Sequence, residues 1–99
     1  MAPAAVRFHP AAGEEAEKAY EWYAARNPAA ADGFLEEFRR AVEAVAQNPN
    51  TWPRPGRRAR RYVFPRFPSS LVYILRSGDV EVIAVAHAKR RPGYWRSRL

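Results

Sequence analysis

The fold of this chain is decided by residues 71–87, which read LVYILRSGDVEVIAVAH. Two runs rich in β-branched and aromatic residues flank the tripeptide Ser77-Gly78-Asp79, whose residue types favour a tight turn. The stretch therefore predicts a β-hairpin. Its second strand is apolar on both faces except at Glu81, a pattern typical of a strand in the interior of a sheet. We expect this last strand to have a neighbour on each side.

Upstream of the hairpin, the pattern predicts two more strands and a pair of helices. Pro10 and Pro28 each suit the first turn of a helix, and Asn48-Pro49 ends the second one. Apolar side chains recur at intervals of three and four within both helices, so each helix has one apolar face. We predict helices from Pro10 to about Arg26 and from Pro28 to Asn48, and strands at 5–9, 60–64, 71–76 and 80–87.

The order β-α-α-β-β-β predicts an α+β fold, with an N-terminal strand and an antiparallel helical hairpin packed on a mainly antiparallel sheet of about four strands. Gly33 either allows the second helix to approach the first closely or marks a later start of that helix. A chain of 99 residues that is 47% hydrophobic forms one core, so we expect a single domain over residues 1–99.

The composition excludes several classes of function. Because the chain has no cysteine, it has no disulfide, thiolate nucleophile or cysteine zinc site. No residue spacing indicates another metal site, a cofactor, a Gly-rich phosphate loop or a Ser-His-Asp arrangement. The longest apolar stretches are far shorter than the roughly 18 residues of a spanning helix. We therefore expect a cytoplasmic protein without a membrane segment.

The positive charge is concentrated in the C-terminal half. The net charge is +7, but residues 1–50 carry a net charge of −3 and residues 51–99 one of +10. Such a basic surface favours an anionic partner. If the last three strands form a meander, their connectivity predicts two basic zones at opposite rims of the sheet. The first zone holds Arg66 and residues 87–91, and the second holds Arg57, Arg58, Arg60 and Arg61.

Short motifs along nearly the whole chain resemble the RelE/ParE toxin superfamily. Each motif is weak alone, but their order and spacing together are fairly specific. They are Phe8-His9-Pro10, Trp22-Tyr23, Arg60-Arg61-Tyr62, Arg66-Phe67-Pro68, Leu71-Val72-Tyr73, Ala84-Val85-Ala86-His87 and Arg90-Arg91-Pro92-Gly93-Tyr94-Trp95.

The resemblance implies the toxin of a type II toxin-antitoxin system, or plasmid stabilisation protein. Such a toxin is a small basic protein that inhibits growth and is held inactive by an antitoxin encoded beside it. The complex of the two proteins is expected to be a higher oligomer. The antitoxin is expected to mask apolar as well as basic surface, since a helical hairpin on a sheet leaves part of its surface uncovered.

The resemblance also implies two alternative targets. RelE-like members are implied to cut mRNA at the ribosome, whereas ParE-like members are implied to poison DNA gyrase without being nucleases. RNA cleavage by the 2′-hydroxyl needs a proton acceptor, cations for the phosphate and an acid for the leaving oxygen. Poisoning an enzyme needs only a complementary surface. Whether this chain is an enzyme therefore depends on its branch.

Two departures from the RelE pattern favour the ParE-like branch. Where RelE ribonucleases have a catalytic Arg before the Leu-Val-Tyr run, this chain has Ser70. Of two basic positions that alternate along the preceding strand, the chain keeps Arg61 but has Val63 at the other. We therefore predict a gyrase inhibitor. The alternatives are a nontoxic basic nucleic-acid-binding module and a ribosome-dependent endoribonuclease that would use Arg61, His87, Arg90 and Tyr94.

The predicted binding residues are cations interleaved with aromatic side chains, as is usual at stacking surfaces. A solvated basic turn and a charge-protected edge strand are the simpler interpretations of the same residues. The target-binding set is Arg66, His87, Lys89, Arg90, Arg91, Tyr94 and Trp95. The set for an antitoxin or another anionic surface is Arg57, Arg58, Arg60 and Arg61.

Several other polar and aromatic residues are interpreted as structural. We expect His9 to start the first helix, and His87 to anchor the C-terminal segment by hydrogen bonds rather than to transfer a proton. Tyr23 and Trp52 are assigned to the core or its edge. The glutamates of both helices are expected on solvated faces, paired with Lys18, Arg39 or Arg40.

Overall fold

The structure is a computed structural model that describes residues 2–54 and 58–99. The element order and the fold class are those predicted, and each strand begins and ends within two residues of its predicted position. The elements are β1 (Val6–Phe8), α1 (Pro10–Arg26), α2 (Pro28–Gln47), β2 (Arg60–Val63), β3 (Ser69–Arg76), β4 (Asp79–His87) and a short 3₁₀ helix (Arg96–Arg98).

The four strands form one mixed sheet in the order β1-β4-β3-β2. β4 pairs in parallel with β1 and antiparallel with β3, so the prediction of an interior strand is confirmed. β2 and β3 are also antiparallel. The helical hairpin covers one face of this sheet. Neither helix within the described residues combines the length and the apolar composition that a membrane span requires.

Both helices begin with a side-chain cap followed by proline. Nδ1 of His9 accepts a hydrogen bond from the Ala11 N–H (3.0 Å), so His9 starts α1 as predicted. Oδ1 of Asn27 accepts from the Ala29 N–H (3.0 Å) and starts α2 in the same way. These caps satisfy N–H groups that have no partner within the helix.

The turn between β3 and β4 consists of two residues with positive φ. Ser77 has φ 51° and Gly78 has φ 83°. Positive φ at both central residues defines the type I′ turn, whose twist matches that of the strands it joins. The predicted hairpin is confirmed, with Asp79 forming the first residue of β4.

Apolar side chains pack on both faces of the sheet. The larger cluster lies between the sheet and the helices and includes Phe34 of α2 and Tyr73 of β3. Tyr23 and Trp52 pack at its margin, as predicted. The second cluster lies on the opposite face, which we call the outer face, and includes Ile74 of β3.

A β-bulge in β4 changes which of its side chains face the helices. Neighbouring residues of β3 pair with Val82 and Ala84, which leaves Ile83 as an extra residue. Val82 packs beneath the helices before the bulge, and Val85 does so after it. Ile83 and Ala84 both belong to the cluster on the outer face. The bulge therefore places Val85 beneath α1.

Gly33 marks a close approach, but to a different element from the one predicted. α2 runs without interruption from Pro28, so Gly33 does not mark a later start. A Cβ at Gly33 would lie 3.3 Å from the Phe67 ring, which belongs to the loop between β2 and β3. Both predicted alternatives are wrong, because the neighbour of Gly33 is this loop and not α1.

Glu37 corrects the prediction that the helix glutamates are solvated. It is only 4% exposed and accepts hydrogen bonds from the backbone N–H groups of Arg66 (3.1 Å) and Phe67 (3.3 Å) and from the Arg66 guanidinium. Burial alone would raise the pKa of this carboxyl, but the hydrogen bonds outweigh burial and the pKa is lowered. Glu37 therefore anchors the loop between β2 and β3 to α2.

Replacing Glu37 by alanine leaves two backbone N–H groups and a guanidinium without their acceptor. We expect E37A to lower the free energy of unfolding by about 3 kcal/mol. The neighbouring carboxylate of Glu36 is exposed and pairs with Arg40 at the surface, so E36A is a matched control and should cost less than about 0.5 kcal/mol. Urea unfolding followed by circular dichroism measures both. Equal losses in the two variants would contradict this account.

Candidate functional site

The chain turns back after β4 and covers the outer face of the sheet. Gly93 has φ 74°, a backbone conformation that side-chain-bearing residues rarely adopt. Trp95 follows and is only 4% exposed, packed in the outer cluster with Ile74 and Ile83. The predicted use of the Trp95 ring as a stacking surface is therefore wrong, because the ring is part of the core. We call residues 88–99 the C-terminal segment.

Along the edge of β4 beyond Val82, backbone groups form hydrogen bonds with two charged side chains instead of with a strand. β1 pairs with residues 80–82, and within the described part of the chain the rest of this edge has no neighbouring strand. The Ile83 carbonyl accepts from Nη1 of Arg98 (3.0 Å), and the Val85 N–H donates to Oε1 of Glu15 (3.0 Å). Glu15 and Arg98 also form an ion pair at 2.9 Å, with side chains only 15% and 16% exposed. This pair ties α1, β4 and the C-terminal segment together.

Tyr94 is held by the same carboxylate. Its hydroxyl donates to Oε2 of Glu15 (2.8 Å). Burial, together with this hydrogen bond and the Glu15 charge, raises the pKa of Tyr94 to about 12. Burial would raise the pKa of Glu15 as well, but the hydrogen bonds from Arg98, Tyr94 and Val85 outweigh it and the pKa is lowered. Glu15 is thus the second helix glutamate for which the solvated assignment is wrong.

The C-terminal segment forms one wall of a cavity of about 300 Å³ on the outer face, which we call the basic groove. The groove is also lined by residues of β2, β3 and β4, among them Ser70. Arg91 lines it, and the guanidinium of Arg90 lies 3.8 Å from the centre of the Tyr94 ring. The groove brings together all four residues predicted for the nuclease alternative, which are Arg61, His87, Arg90 and Tyr94.

Three cations of the basic groove have no ionic partner in the part of the chain that the structure describes. Among the described residues, no carboxylate lies within ion-pair distance of Arg61, Arg90 or Arg91. Nε of Arg61 is buried and has no hydrogen-bond partner within the same part of the chain. Arginine offers several donors in a planar arrangement that fits carboxylates and phosphates. The groove is therefore equipped to bind an anionic group.

The prediction of two separate basic zones is wrong, because side chains alternate along β2. Arg60 lies towards the helices, where its Nη1 donates to the Trp52 carbonyl (2.8 Å). Arg61 lies on the outer face and lines the basic groove with residues of the opposite predicted zone. Arg58 is exposed. Arg57, the remaining member of that zone, lies outside the described residues.

The other predicted binding residues lie around the end of β4. Nδ1 of His87 accepts from the Lys89 N–H (3.0 Å), and its carbonyl accepts from the Arg90 N–H (3.0 Å). His87 therefore anchors the first turn of the C-terminal segment. Lys89 is exposed. Arg66 has a 68% exposed side chain, but it pairs with Glu37 and is not among the groove-lining residues.

The groove is better suited to binding than to proton transfer. The Tyr94 hydroxyl is committed to Glu15, and its raised pKa keeps it protonated near neutral pH. Nδ1 of His87 accepts a hydrogen bond from the Lys89 N–H, so this nitrogen is not available as a base. Ser70 lines the groove where the resembling ribonucleases have an arginine. Within the described residues, no cluster of His, Asp or Glu is arranged to hold a metal ion.

Replacing Glu15 by glutamine removes the charge that holds the C-terminal segment. We expect E15Q to lower the free energy of unfolding by about 2 kcal/mol and to loosen the segment locally, because a partly buried Arg98 loses its counterion. Hydrogen-deuterium exchange should then accelerate in residues 94–99 and at the Val85 N–H. The control is E14Q, since Glu14 is exposed on the same helix. Unchanged exchange in E15Q would contradict the anchoring role.

The lowered pKa values of Glu15 and Glu37 predict how stability depends on pH. A carboxyl whose pKa is lower in the folded than in the unfolded state stabilises the fold at pH values above its unfolded pKa, which is 4.5 here. This stabilisation is lost as the pH falls through the folded pKa. The free energy of unfolding of the wild type should therefore fall steeply as the pH drops below about 4.5, while that of E15Q/E37Q should fall less. E14Q/E36Q should keep the wild-type slope, and equal slopes in all three proteins would refute the assignment.

Comparison with known proteins agrees with this architecture. A solved chain of a chromosomal ParDE toxin-antitoxin system from P. aeruginosa superposes with a TM-score of 0.75 at 14% sequence identity, covering 87% of this chain and 97% of that one. At that identity the likeness shows the fold alone. No curated protein gives a significant sequence match. The family model for the ParE toxin of the type II toxin-antitoxin system parDE matches residues 6–92. The chain therefore belongs to the ParE toxin family.

Proposed function

We propose that this ParE-family toxin inhibits DNA gyrase through its basic groove, and that a cognate antitoxin neutralises it. Membership of the family supports a toxin with an antitoxin partner. The identity of the target is a further step, which rests on the chemistry of the groove. The proposal assigns the groove to binding and gives it no chemical reaction.

The observation that carries the proposal is the contrast between the cations and the proton-transfer groups of the groove. Arg61, Arg90 and Arg91 have no ion-pair partner among the described residues, so they are ready to bind carboxylates. The Tyr94 hydroxyl is held by Glu15, which leaves it without a part in proton transfer. Such a groove suits recognition of an acidic surface on a protein target.

The proposed target-binding residues have different roles. Arg61, Arg90 and Arg91 supply the positive charge. The Tyr94 ring packs against the Arg90 guanidinium. His87 holds the turn from which these arginines project. Lys89 is an exposed cation that does not line the groove, and Arg66 is exposed but paired with Glu37. Trp95 acts from within the core by fixing the wall of the groove.

The antitoxin would cover this positive surface. Such a partner is expected to be acidic, because the toxin carries a net charge of +7. Masking the arginines of the groove would compete directly with the target. The higher oligomeric state of the toxin-antitoxin complex and the cytoplasmic location stay predictions, as does a link to plasmid stabilisation.

A ribosome-dependent endoribonuclease is the second candidate, since Arg61, His87, Arg90 and Tyr94 do meet in one groove. That set lacks an arginine at Ser70, and Tyr94 is a poor acid or base with a pKa of about 12. A nontoxic nucleic-acid-binding module is the third candidate. It would use the same cations without arresting growth.

Assays on purified components separate the three candidates. We expect the toxin to inhibit supercoiling by gyrase and to stabilise cleaved DNA, while mRNA on programmed ribosomes stays intact. R90A/R91A should raise the inhibitory concentration by at least about tenfold, because a charge-assisted contact to a protein target contributes about 1.4 kcal/mol or more. R39A removes an exposed cation of α2 and should leave inhibition unchanged.

The outcomes differ for each candidate. Cleaved mRNA with active gyrase would establish the nuclease and reject the proposal. Normal growth of cells that produce the folded protein alone, with neither gyrase nor mRNA affected, would favour the nontoxic module.

A further inference from the structure

The floor of the basic groove is one row of side chains across three strands. Val63 of β2 pairs with Ser70 of β3, which pairs in turn with Ala86 of β4. All three residues line the groove. Because the serine and the alanine are small, a ligand has room over this row, and the Ser70 hydroxyl can donate a hydrogen bond to it.

Arginines from two separate elements line the same groove. Arg61 lies two residues before Val63 in β2, whereas Arg90 and Arg91 belong to the C-terminal segment. Nε of Arg61 is buried, yet it has no hydrogen-bond partner among the residues that the structure describes. A buried donor of a charged group is costly to leave without an acceptor. An acceptor that enters the groove would offset this cost.

The positive charge of the groove exceeds what one singly charged group balances. Within residues 2–54 and 58–99, none of the three arginines has an ionic partner. A carboxylate, or a phosphate within a nucleic-acid backbone, carries one negative charge and has two free oxygens. A terminal phosphate carries about −1.5 to −2 at neutral pH and offers three acceptor oxygens. It can therefore bind donors from β2 and from the C-terminal segment together.

The size of the groove also favours a small ligand. Its volume of about 300 Å³ is at the lower limit of small-molecule sites. A terminal phosphate has a single bond to the rest of its molecule, so it can enter the groove with its free oxygens first. A phosphate inside a polymer has chain on both sides, which would have to enter with it.

We propose that the basic groove binds a phosphate dianion, either free inorganic phosphate or the terminal phosphate of a mononucleotide. The phosphate accepts hydrogen bonds from Nε of Arg61, from the Ser70 hydroxyl and from the guanidinium groups of Arg90 and Arg91. The binding follows from the groove itself. Its consequence rests on the proposed function, because an occupied groove withholds the same arginines from the target. Small phosphates thereby regulate the toxin.

Calorimetric titration with two matched nucleotides tests the ligand chemistry. Adenosine 5′-monophosphate (AMP) has a terminal phosphate, whereas cyclic AMP has the same base and sugar but a phosphodiester. We expect the dissociation constant of the toxin to be at least about tenfold lower for AMP. Inorganic phosphate distinguishes the two sources. Affinity equal to that of AMP identifies phosphate alone as the ligand, and weaker affinity identifies a mononucleotide.

Replacing Arg61 by methionine removes the buried donor but keeps a long unbranched side chain. Without phosphate, R61M should unfold at or above the wild-type temperature, because an unpartnered buried group is lost. Phosphate at about 10 mM, at constant ionic strength, should raise the unfolding temperature of the wild type by at least about 4 °C and that of R61M by less than about 1 °C. The control is R39A, which loses an exposed cation of α2 and should respond like the wild type.

Three results would overturn the inference. The first is no binding of AMP, or equal affinity for AMP and cyclic AMP. The second is stabilisation of R61M by phosphate to the same extent as the wild type. The third is displacement of AMP by an oligonucleotide without a terminal phosphate that binds more tightly, which would assign the groove to a nucleic-acid backbone.

Gyrase inhibition in the presence of each nucleotide separates this inference from the proposed function. At ten times its dissociation constant, AMP should raise the inhibitory concentration of the toxin about tenfold, while cyclic AMP at the same concentration should not. Gyrase alone with each nucleotide is the control. Arg61-dependent phosphate binding by a toxin without effect on gyrase would reject the target alone. Gyrase inhibition without phosphate binding, or inhibition that bound AMP leaves unchanged, would reject the inference alone.

Discussion

The architecture depends on how the backbone groups at the unpaired edge of β4 find hydrogen-bond partners. β4 has nine residues, but β1 accompanies only the first few of them. The backbone groups beyond would be costly to bury without partners. Glu15 and Arg98 supply one acceptor and one donor to this edge, and each balances the charge of the other. A side-chain ion pair thereby supplies hydrogen bonds that a neighbouring strand would otherwise supply.

This arrangement has a direct effect on the candidate site. The wall of the basic groove is the segment that Arg98 and Tyr94 fasten to α1. A glutamate of α1 therefore helps to determine the position of Arg90, because it holds the Tyr94 ring that the Arg90 guanidinium contacts. The Glu15 charge acts on Tyr94, whose pKa it helps to raise, while Arg98 pairs with the same carboxylate. Structure and electrostatics are coupled through one carboxylate.

Much of the fold could be predicted from local patterns. Prolines and asparagines marked the ends of the helices, and the Ser77-Gly78 turn marked the hairpin, because these features depend on a few neighbouring residues. The motif order also indicated the family. The interior position of β4 could be predicted from its apolar character on both faces, whereas its parallel pairing with β1 was not predicted.

The parts that could not be predicted depend on contacts between distant residues. Glu15 and Glu37 lie on the apolar faces of their helices, three residues after Ala12 and Phe34, and this spacing was an available sign of burial. Their partners are 29 to 83 residues away in sequence, so the hydrogen bonds themselves had no local signal. Trp95 was misplaced for the same reason, since its burial depends on the returning C-terminal segment.

The bulge at Ile83 has a consequence for how this family member can diverge. Swapping one aliphatic residue of β4 for another leaves the alternation of side chains intact, and such drift should be well tolerated. Losing the codon of Ile83 would remove the bulge yet keep Val85 beneath α1, because Val82, Ala84 and Val85 would then alternate regularly. Losing a codon of β4 after Val85 would instead move His87 to the opposite face. The bulge is therefore where this strand can change its length among related genes without turning its later side chains.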